Sequence, residues 1–326
     1  MRTRRLGKTG FEVSEVGFGA WAIGGDWGTV DEPGAMRALH AAVDAGVTFF
    51  DTADVYGDGR SERLVARLRR ERDEPLVVAT KMGRRLPQEV GNYTAEHFSE
   101  WAERSRENLG VERLDLVQLH CPPTDLYYHP EIFDALDGLV DRGVVAHYGV
   151  SVERVEEGLK ALDFDGVSTV QIIFNMFRQR PAARFLAAAA HADVGVIVRV
   201  PLASGLLSGK LSASTEFAED DHRRFNRHGE LFDVGETFAG VPYEVGLEAV
   251  ERLRPLVPPG ATLAQVALRW ILDHPEVSVV IPGAKDAAQA RANAAAADAD
   301  PLDDEAKRQV RSIYWDLVAP HVHERW

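Results

Sequence analysis

The chain of 326 residues holds a single cysteine, Cys121, so no intrachain disulfide framework is available and a reducing compartment suits it. No apolar run reaches the ~18 residues that a membrane span requires. The opening MRTRRLGKTG is basic but lacks the apolar stretch of a secretory signal, so a soluble cytoplasmic protein is expected. Basic charge is scarce as well: 37 Lys and Arg face 51 Asp and Glu, a formal net charge of −14. Such a surface repels nucleic acid and anionic membranes, and neither is expected as a partner. An anionic cofactor stays open, because it needs only a local basic pocket. The dinucleotide fingerprint G-x-G-x-x-G is missing too. GFGAWAIGG (17–25) comes nearest but has the wrong spacing, and no helix start follows before Asp31 or Glu32. A metal site is not expected: the tail HVHERW offers His321 and His323 without a matching acidic cluster, and reads as a frayed or rim-packed terminus.

What is present is a regular alternation. LGKTGFEVS reads as a hairpin around Lys8, Thr9 and Gly10. Eight strand-like runs follow: SEVGFGA, VTFFDTAD, PLVVATK, LDLVQLH, VVAHYGVS, STVQIIFN, VGVIVRVPL and VSVVIPG. Helical periodicity follows each run, as in PGAMRALHAAVDAG, whose Gly46 suits a left-handed C-cap, and in RPAARFLAAAAHAD, read as one helix. Apolar strands flanked by amphipathic helices predict a parallel sheet covered on all sides. The expected fold is an (α/β)8 TIM barrel forming one domain over residues 1–326, with an N-terminal β-hairpin and a long loop after the seventh barrel strand. The Ala-rich stretches read as helix surface and helix end. Trp270 shares a helical face with Leu263, Val266 and Ala267 and reads as helix packing.

Several strand runs end in polar residues, and barrels keep their chemistry at such C-terminal tips. Asp51 and Tyr56 stand in DTADVYG, Lys81 in ATKMG, His120 in LVQLHCPP and Ser151 in HYGVS. Taken singly, each has a bland reading as a cap, a rim aromatic, a loop charge or a core histidine. Taken together they form an acid–base set. A phenol titrates near 10, too high for an efficient proton donor; an adjacent ammonium is expected to lower it, and a carboxylate to hold that ammonium in place.

These motifs resemble those of the aldo-keto reductase superfamily, in its bacterial type, over almost the whole chain from GFGAWAIGG to VVIPGAKDAAQARAN. The resemblance implies an NADP(H)-dependent oxidoreductase that reversibly reduces aldehydes or ketones by hydride transfer. Tyr56 is then the general acid, Lys81 and Asp51 tune and hold it, and His120 orients the carbonyl. It also implies cofactor contacts at Gly19, Ala20, Trp21 and Asp51, and at Ser151 and Gln171 for the carboxamide. PLASGLLSGK would fold over the pyrophosphate through Pro201, Leu202, Ser204, Gly205, Leu207 and Lys210. Gly283, Lys285, Gln289 and Asn293 would surround the adenosine 2′-phosphate, favouring NADP(H) over NAD(H). Three positions depart from the family pattern: Val152 replaces an Asn, Lys285 a frequent Arg, and Arg199 with Val200 the aromatic that stacks on nicotinamide. The 211–241 segment, with Asp220, Asp221, His222, Arg223, Arg224 and Arg227 and the aromatics Phe225, Phe232 and Phe238, reads as a lid over cofactor and substrate or else as a partly mobile surface loop. Two other functions stay open, an aldose 1-dehydrogenase working oxidatively and a cofactor-binding redox-sensing regulatory subunit. The expected partner is a small carbonyl or sugar substrate.

Overall fold

A computed structural model of the chain describes residues 1–25, 27 and 30–326. Strands β1 (Thr3–Arg5) and β2 (Glu12–Ser14) form an antiparallel hairpin around the turn Gly7–Thr9. Eight parallel strands follow: β3 (Phe18–Gly19), β4 (Phe49–Asp51), β5 (Val77–Met82), β6 (Leu114–His120), β7 (Val145–Ser151), β8 (Val167–Ile173), β9 (Gly195–Arg199) and β10 (Val277–Val280), each paired with its sequence neighbour. Bridges from Val16 to Val280 and from Gly19 to Gly283 bring the first and last strands together and close the ring. The expected (α/β)8 barrel with its hairpin is therefore the fold. Closure dictates glycine at the seam, since a Cβ on Gly19 would stand 2.7 Å from the Ile281 carbonyl oxygen. SEVGFGA yields only the two-residue strand Phe18–Gly19.

Alternation along the strands separates two apolar regions. Phe49, Ala79, Leu116, Ile197 and Val279 point into the barrel, where Leu6 and Val13 of the hairpin plug its lower end. Phe50, Val78, Val117 and Val198 point outward into the larger core beneath the helices. The inward parity carries a consequence for the site. Two residues beyond Phe49, Ala79, Leu116 and Ile197 stand Asp51, Lys81, Gln118 and Arg199, so the same alternation that builds the core aims polar groups into the upper barrel.

The helices differ from expectation at a few points. RPAARFLAAAAHAD divides into a 3-10 turn, Arg180–Ala183, and a helix, Phe185–His191, because Arg184 leaves helical geometry at φ −147°. A short helical turn, Trp21–Gly24, occupies the segment after β3. Helix Glu32–Asp44 is capped by Asp31, as the sequence suggests, and Gly46 has φ +89°. In the second Ala-rich stretch Ala294, Ala296 and Ala297 are buried rather than on the surface, and Trp270 packs in the core against Phe174. The tail is not frayed. A helix, Asp304–Ile313, leads to Trp326, whose indole donates to Asp233 at 2.9 Å and lies 4.1 Å from the Arg178 guanidinium. His323 bonds the Tyr314 hydroxyl at 2.8 Å. No helix among the described residues is long and apolar enough to cross a membrane.

Candidate active site

At the C-terminal ends of the strands lies a cavity of about 430 Å³. Its floor carries the acid–base set. Lys81 Nζ donates to Asp51 Oδ1 at 2.5 Å, to the Thr52 carbonyl at 2.9 Å and to the Tyr56 hydroxyl at 3.3 Å. The other Asp51 oxygen accepts from Gln171 at 2.7 Å and from Gln118 at 3.2 Å. Every side of this buried ion pair is thus hydrogen-bonded, the condition under which a buried pair is tolerated. His120 stands edge-on to Tyr56, with ring centroids 5.8 Å apart, and Trp21 stacks on the other side of Tyr56 at 5.9 Å. Three strand ends therefore bring the four predicted residues together.

The electrostatics refine that expectation. Burial raises the pKa of the Tyr56 hydroxyl, and although Lys81 pulls against it, the net direction is upward, not downward as the residue types suggested. Burial also pulls Lys81 down, but Asp51 and Tyr56 outweigh it and leave the ammonium above its ordinary value. His120 is held well below its usual range by burial first and then by Arg84, Lys81 and Arg199. The site therefore presents a protonated phenol, a charged lysine and a neutral imidazole at neutral pH. His120 Nδ1 is buried without a partner among the described residues, so the ring has capacity for a ligand.

Of the predicted cofactor positions, Gly19, Trp21, Asp51, Gln171, Pro201, Leu202, Ser204, Gly205, Lys210, Gly283, Lys285, Gln289 and Asn293 all line this one cavity. Three do not. Ala20 is buried beneath it, its N–H donating to the Asp51 carbonyl and its own carbonyl accepting from Ser61. Ser151 faces Cys121 Sγ at 3.5 Å, and Leu207 packs into the core. Gln171 lines the cavity but spends its amide on Asp51. The loop after β9 is strained, with positive φ at Val200 (50°), Ala203 (46°), Ser204 (51°) and Gly205 (100°). Such strain at a strand tip holds backbone against a ligand site. Ser204 stitches this loop to the lid, donating to the Glu236 carbonyl at 3.1 Å and accepting from Phe238 N at 3.0 Å.

The lid closes over the cavity through a bridge between Trp27 and Asp221. Its three arginines do not act as one cluster. Arg223 makes two hydrogen bonds to Asp221, at 2.6 and 2.9 Å, lines the cavity and sits over the Phe217 and Trp27 rings. Arg224 pairs with Glu219 in solvent, and Arg227 lies over Phe238 and Tyr243. Phe225 packs on Phe232, and Phe232 on Trp21. Lys285 donates to the Trp27 carbonyl, so the expected phosphate ligand is also bonded to the residue that bridges Asp221.

Sequence reasoning missed a charged group beside the acid. Arg84 donates to Glu236 at 2.6 Å and to the His120 carbonyl at 3.2 Å. Arg199 donates to Glu153 at 2.9 Å and to the Val152 carbonyl at 3.0 Å, and its Nη1 is 3.8 Å from Glu236. Burial and the neighbouring Glu236 charge push Glu153 up to about 8, whereas Arg84 and Arg199 hold Glu236 well down against its burial. Cys121, pushed up to about 12 by burial, completes the group. Cys121, Glu153 and Glu236 offer ligand atoms within 4.8 Å of one another, but the two guanidiniums already compensate the carboxylates. The parity of LVQLH could have found Gln118, but no sequence pattern pointed to Glu236.

Residues 15–314 match the family model described as the aldo/keto reductase family. The chain belongs to that family. This makes it an oxidoreductase of the carbonyl-reducing barrel type. A probable voltage-gated potassium channel subunit beta from Arabidopsis thaliana is 31% identical over 93% of both chains. The structure of a glycerol dehydrogenase from Gluconobacter oxydans superposes with a TM-score of 0.77 at 29% identity, covering 98% of this chain and 96% of that one. An aldo-keto reductase from Klebsiella pneumoniae in complex with NADPH shares the fold, with a TM-score of 0.70 at 24% identity over 96% and 95% of the two chains.

Proposed function

We propose that the protein reduces aldehydes or ketones to alcohols with NADPH, using Tyr56 as the proton donor. The observation that carries this reading is the Asp51–Lys81–Tyr56 chain opening beside His120 onto a cavity lined by Gly19, Gly205, Lys210, Gly283 and Lys285. These residues suit a dinucleotide: glycine backbone allows close approach, and Lys210, Lys285 and Arg223 supply positive charge. When bound, the cofactor supplies the hydride to the carbonyl carbon.

The chain's own groups do the rest. His120, neutral, positions the carbonyl oxygen toward Tyr56. Tyr56 gives its proton to that oxygen as negative charge develops there, combining general acid catalysis with electrostatic stabilisation. Lys81, 3.3 Å from the phenol, stabilises the phenolate left behind, and Asp51 keeps the ammonium charged and aimed. Trp21 and the lid exclude water. Loss of absorbance at the reduced-nicotinamide band, across a panel of aldehydes, ketones and sugars, tests the reading directly. No NADPH oxidation with any of them overturns it. A second reading, a cofactor-binding regulatory subunit, draws on the name of the Arabidopsis relative. NADPH bound tightly with turnover far below once per minute would favour that one.

A further inference from the structure

Beside the proton donor the cavity wall is charged. Glu236 reaches it from the lid turn Val234–Glu236, while Arg199 reaches it from the end of β9, two residues above the inward-facing Ile197. One Glu236 oxygen is bonded to Arg84 at 2.6 Å. Glu236 also shares a hydrogen bond with the Glu153 carboxyl, and its second oxygen lies 3.8 Å from Arg199 Nη1, too far for a hydrogen bond to that arginine. Arg199 Nε is buried without an acceptor among the described residues. The wall next to Tyr56 and His120 therefore presents one carboxylate and one guanidinium to a substrate.

The chemistry of that pair selects among carbonyl compounds. An alkyl aldehyde would cover both groups without satisfying either, and a site built to bond a hydroxyl discriminates strongly against an analogue that lacks it. A carbonyl compound bearing a carboxylate would meet the Glu236 charge at short range. It would also find both candidate partners engaged, Arg84 with Glu236 at 2.6 Å and Arg199 with Glu153 at 2.9 Å and Glu236 at 3.8 Å. In this arrangement Glu236 stands where a substrate carboxylate would otherwise bind between two guanidiniums. A neutral compound with a hydroxyl next to its carbonyl satisfies both groups, giving its O–H to Glu236 and accepting from Arg199.

Resting on the carbonyl-reductase reading, we propose that Glu236 determines specificity, admitting neutral hydroxyaldehydes and excluding carboxylated ones by occupying a two-arginine anion site. Two variants test it. Glu236→Gln removes the charge and keeps the shape and hydrogen-bonding capacity, whereas Glu236→Ala removes the whole side chain and leaves Glu153 as the one carboxyl beside the two arginines. The first measurement compares kcat/KM for glyceraldehyde, butanal and succinic semialdehyde. The unsubstituted protein should prefer glyceraldehyde to butanal by roughly tenfold or more. Both variants should raise the ratio of succinic semialdehyde to glyceraldehyde by at least about tenfold, the size expected when a like charge is removed from a buried contact. The second measurement is calorimetric titration with butyrate, which needs no turnover. Butyrate should bind Glu236→Ala and not the unsubstituted protein. If neither variant gains affinity for butyrate and the ratio of the two aldehydes stays within threefold, the assignment of Glu236 is overturned. Absence of NADPH oxidation in the unsubstituted protein would instead overturn the carbonyl-reductase reading, and the butyrate titration would still judge the anion site.

Discussion

Asp51, Lys81 and His120 sit on strands whose backbones are hydrogen-bonded to neighbours on both sides, whereas Glu236 and Arg223 reach the same cavity from a segment tied down by turns, caps and one bridge. The floor is rigid because the ring is closed and its ion pair is bonded on every side. The lid is held by separable contacts: Asp221 with Trp27, Asp233 with Trp326, Glu236 with Arg84, and Ser204 with Phe238 N. The difference divides the labour. Proton transfer tolerates little misplacement and belongs on strands, while selection among substrates varies through loops built on the same scaffold.

The strongest test of the floor removes the acid alone. Tyr56→Phe keeps the ring stacked between Trp21 and His120 and deletes the hydroxyl that Lys81 faces. Reductive turnover should fall by roughly 10²–10⁴-fold with little change in NADPH binding, the usual contribution of a positioned general acid. Near-normal turnover in the purified variant would move the proton donor elsewhere, and the floor would lose its claim to the chemistry.

A second test asks what the floor costs in stability. Asp54, between Asp51 and Tyr56, is fully buried and neither of its carboxylate oxygens has a hydrogen-bond partner among the described residues. Burial, reinforced by Glu62, raises it from an ordinary value of 3.8 to about 7. The native state then holds a proton that the unfolded chain has lost. The stabilisation is fully present below pH 3.8 and disappears as pH rises through 7, amounting to about 4 kcal/mol over the whole window. Asp54→Asn stays neutral in both states. Unfolding free energies from urea titrations at pH 5 and pH 8 should decline less in the variant, by roughly 3 kcal/mol. An identical decline in both proteins would show that Asp54 ionises normally.

The lid is tested at its anchor. Trp326 is buried, and Cβ atoms placed on Gly235 or Gly240 would meet its ring within 3 Å, so the tail and the lid are packed as one unit. Trp326→Ala should lower hydrogen-exchange protection over residues 233–241 by about 3 kcal/mol, the low end for losing a large aromatic from a packed site. Protection in β5 and β6 should be unaffected. An equal loss in those strands would mean that the tail supports the whole barrel, and the contrast between floor and lid would fail.

That contrast also marks what the sequence made legible. The barrel was readable because alternation and helix periodicity repeat eight times, and the floor because DTADVYG, ATKMG and LVQLH place polar residues at strand ends, where parity aims them inward. The direction of the Tyr56 shift was not readable, since it depends on how completely neighbours such as Trp21 and Glu236 cover the phenol. Nor was the Arg84–Glu236 pair, whose members stand 152 positions apart and are brought together by a lid without periodicity. Of the two readings of the tail, frayed or rim-packed, the second fits the structure; the sequence left them open because a terminal tryptophan acquires its partners only once Asp233 and Arg178 are folded beside it.

The smallest effect is expected where floor and lid meet the cofactor. Lys285 is half-buried, and burial followed by the nearby Arg223 charge lowers its pKa. Its ammonium donates to the Trp27 carbonyl, a neutral acceptor that a phosphate dianion would outcompete. Lys285→Ala should therefore weaken NADPH by about 1–2 kcal/mol, one charge-assisted hydrogen bond, with Arg223 left to hold part of the phosphate. NADH, which lacks that phosphate, should bind nearly as before. Fluorescence titration with both cofactors separates two roles for the same side chain. A loss confined to NADPH makes Lys285 a reader of the 2′-phosphate. Equal losses for both would make its bond to Trp27 the more important one, and the choice between the two cofactors would then rest on Arg223.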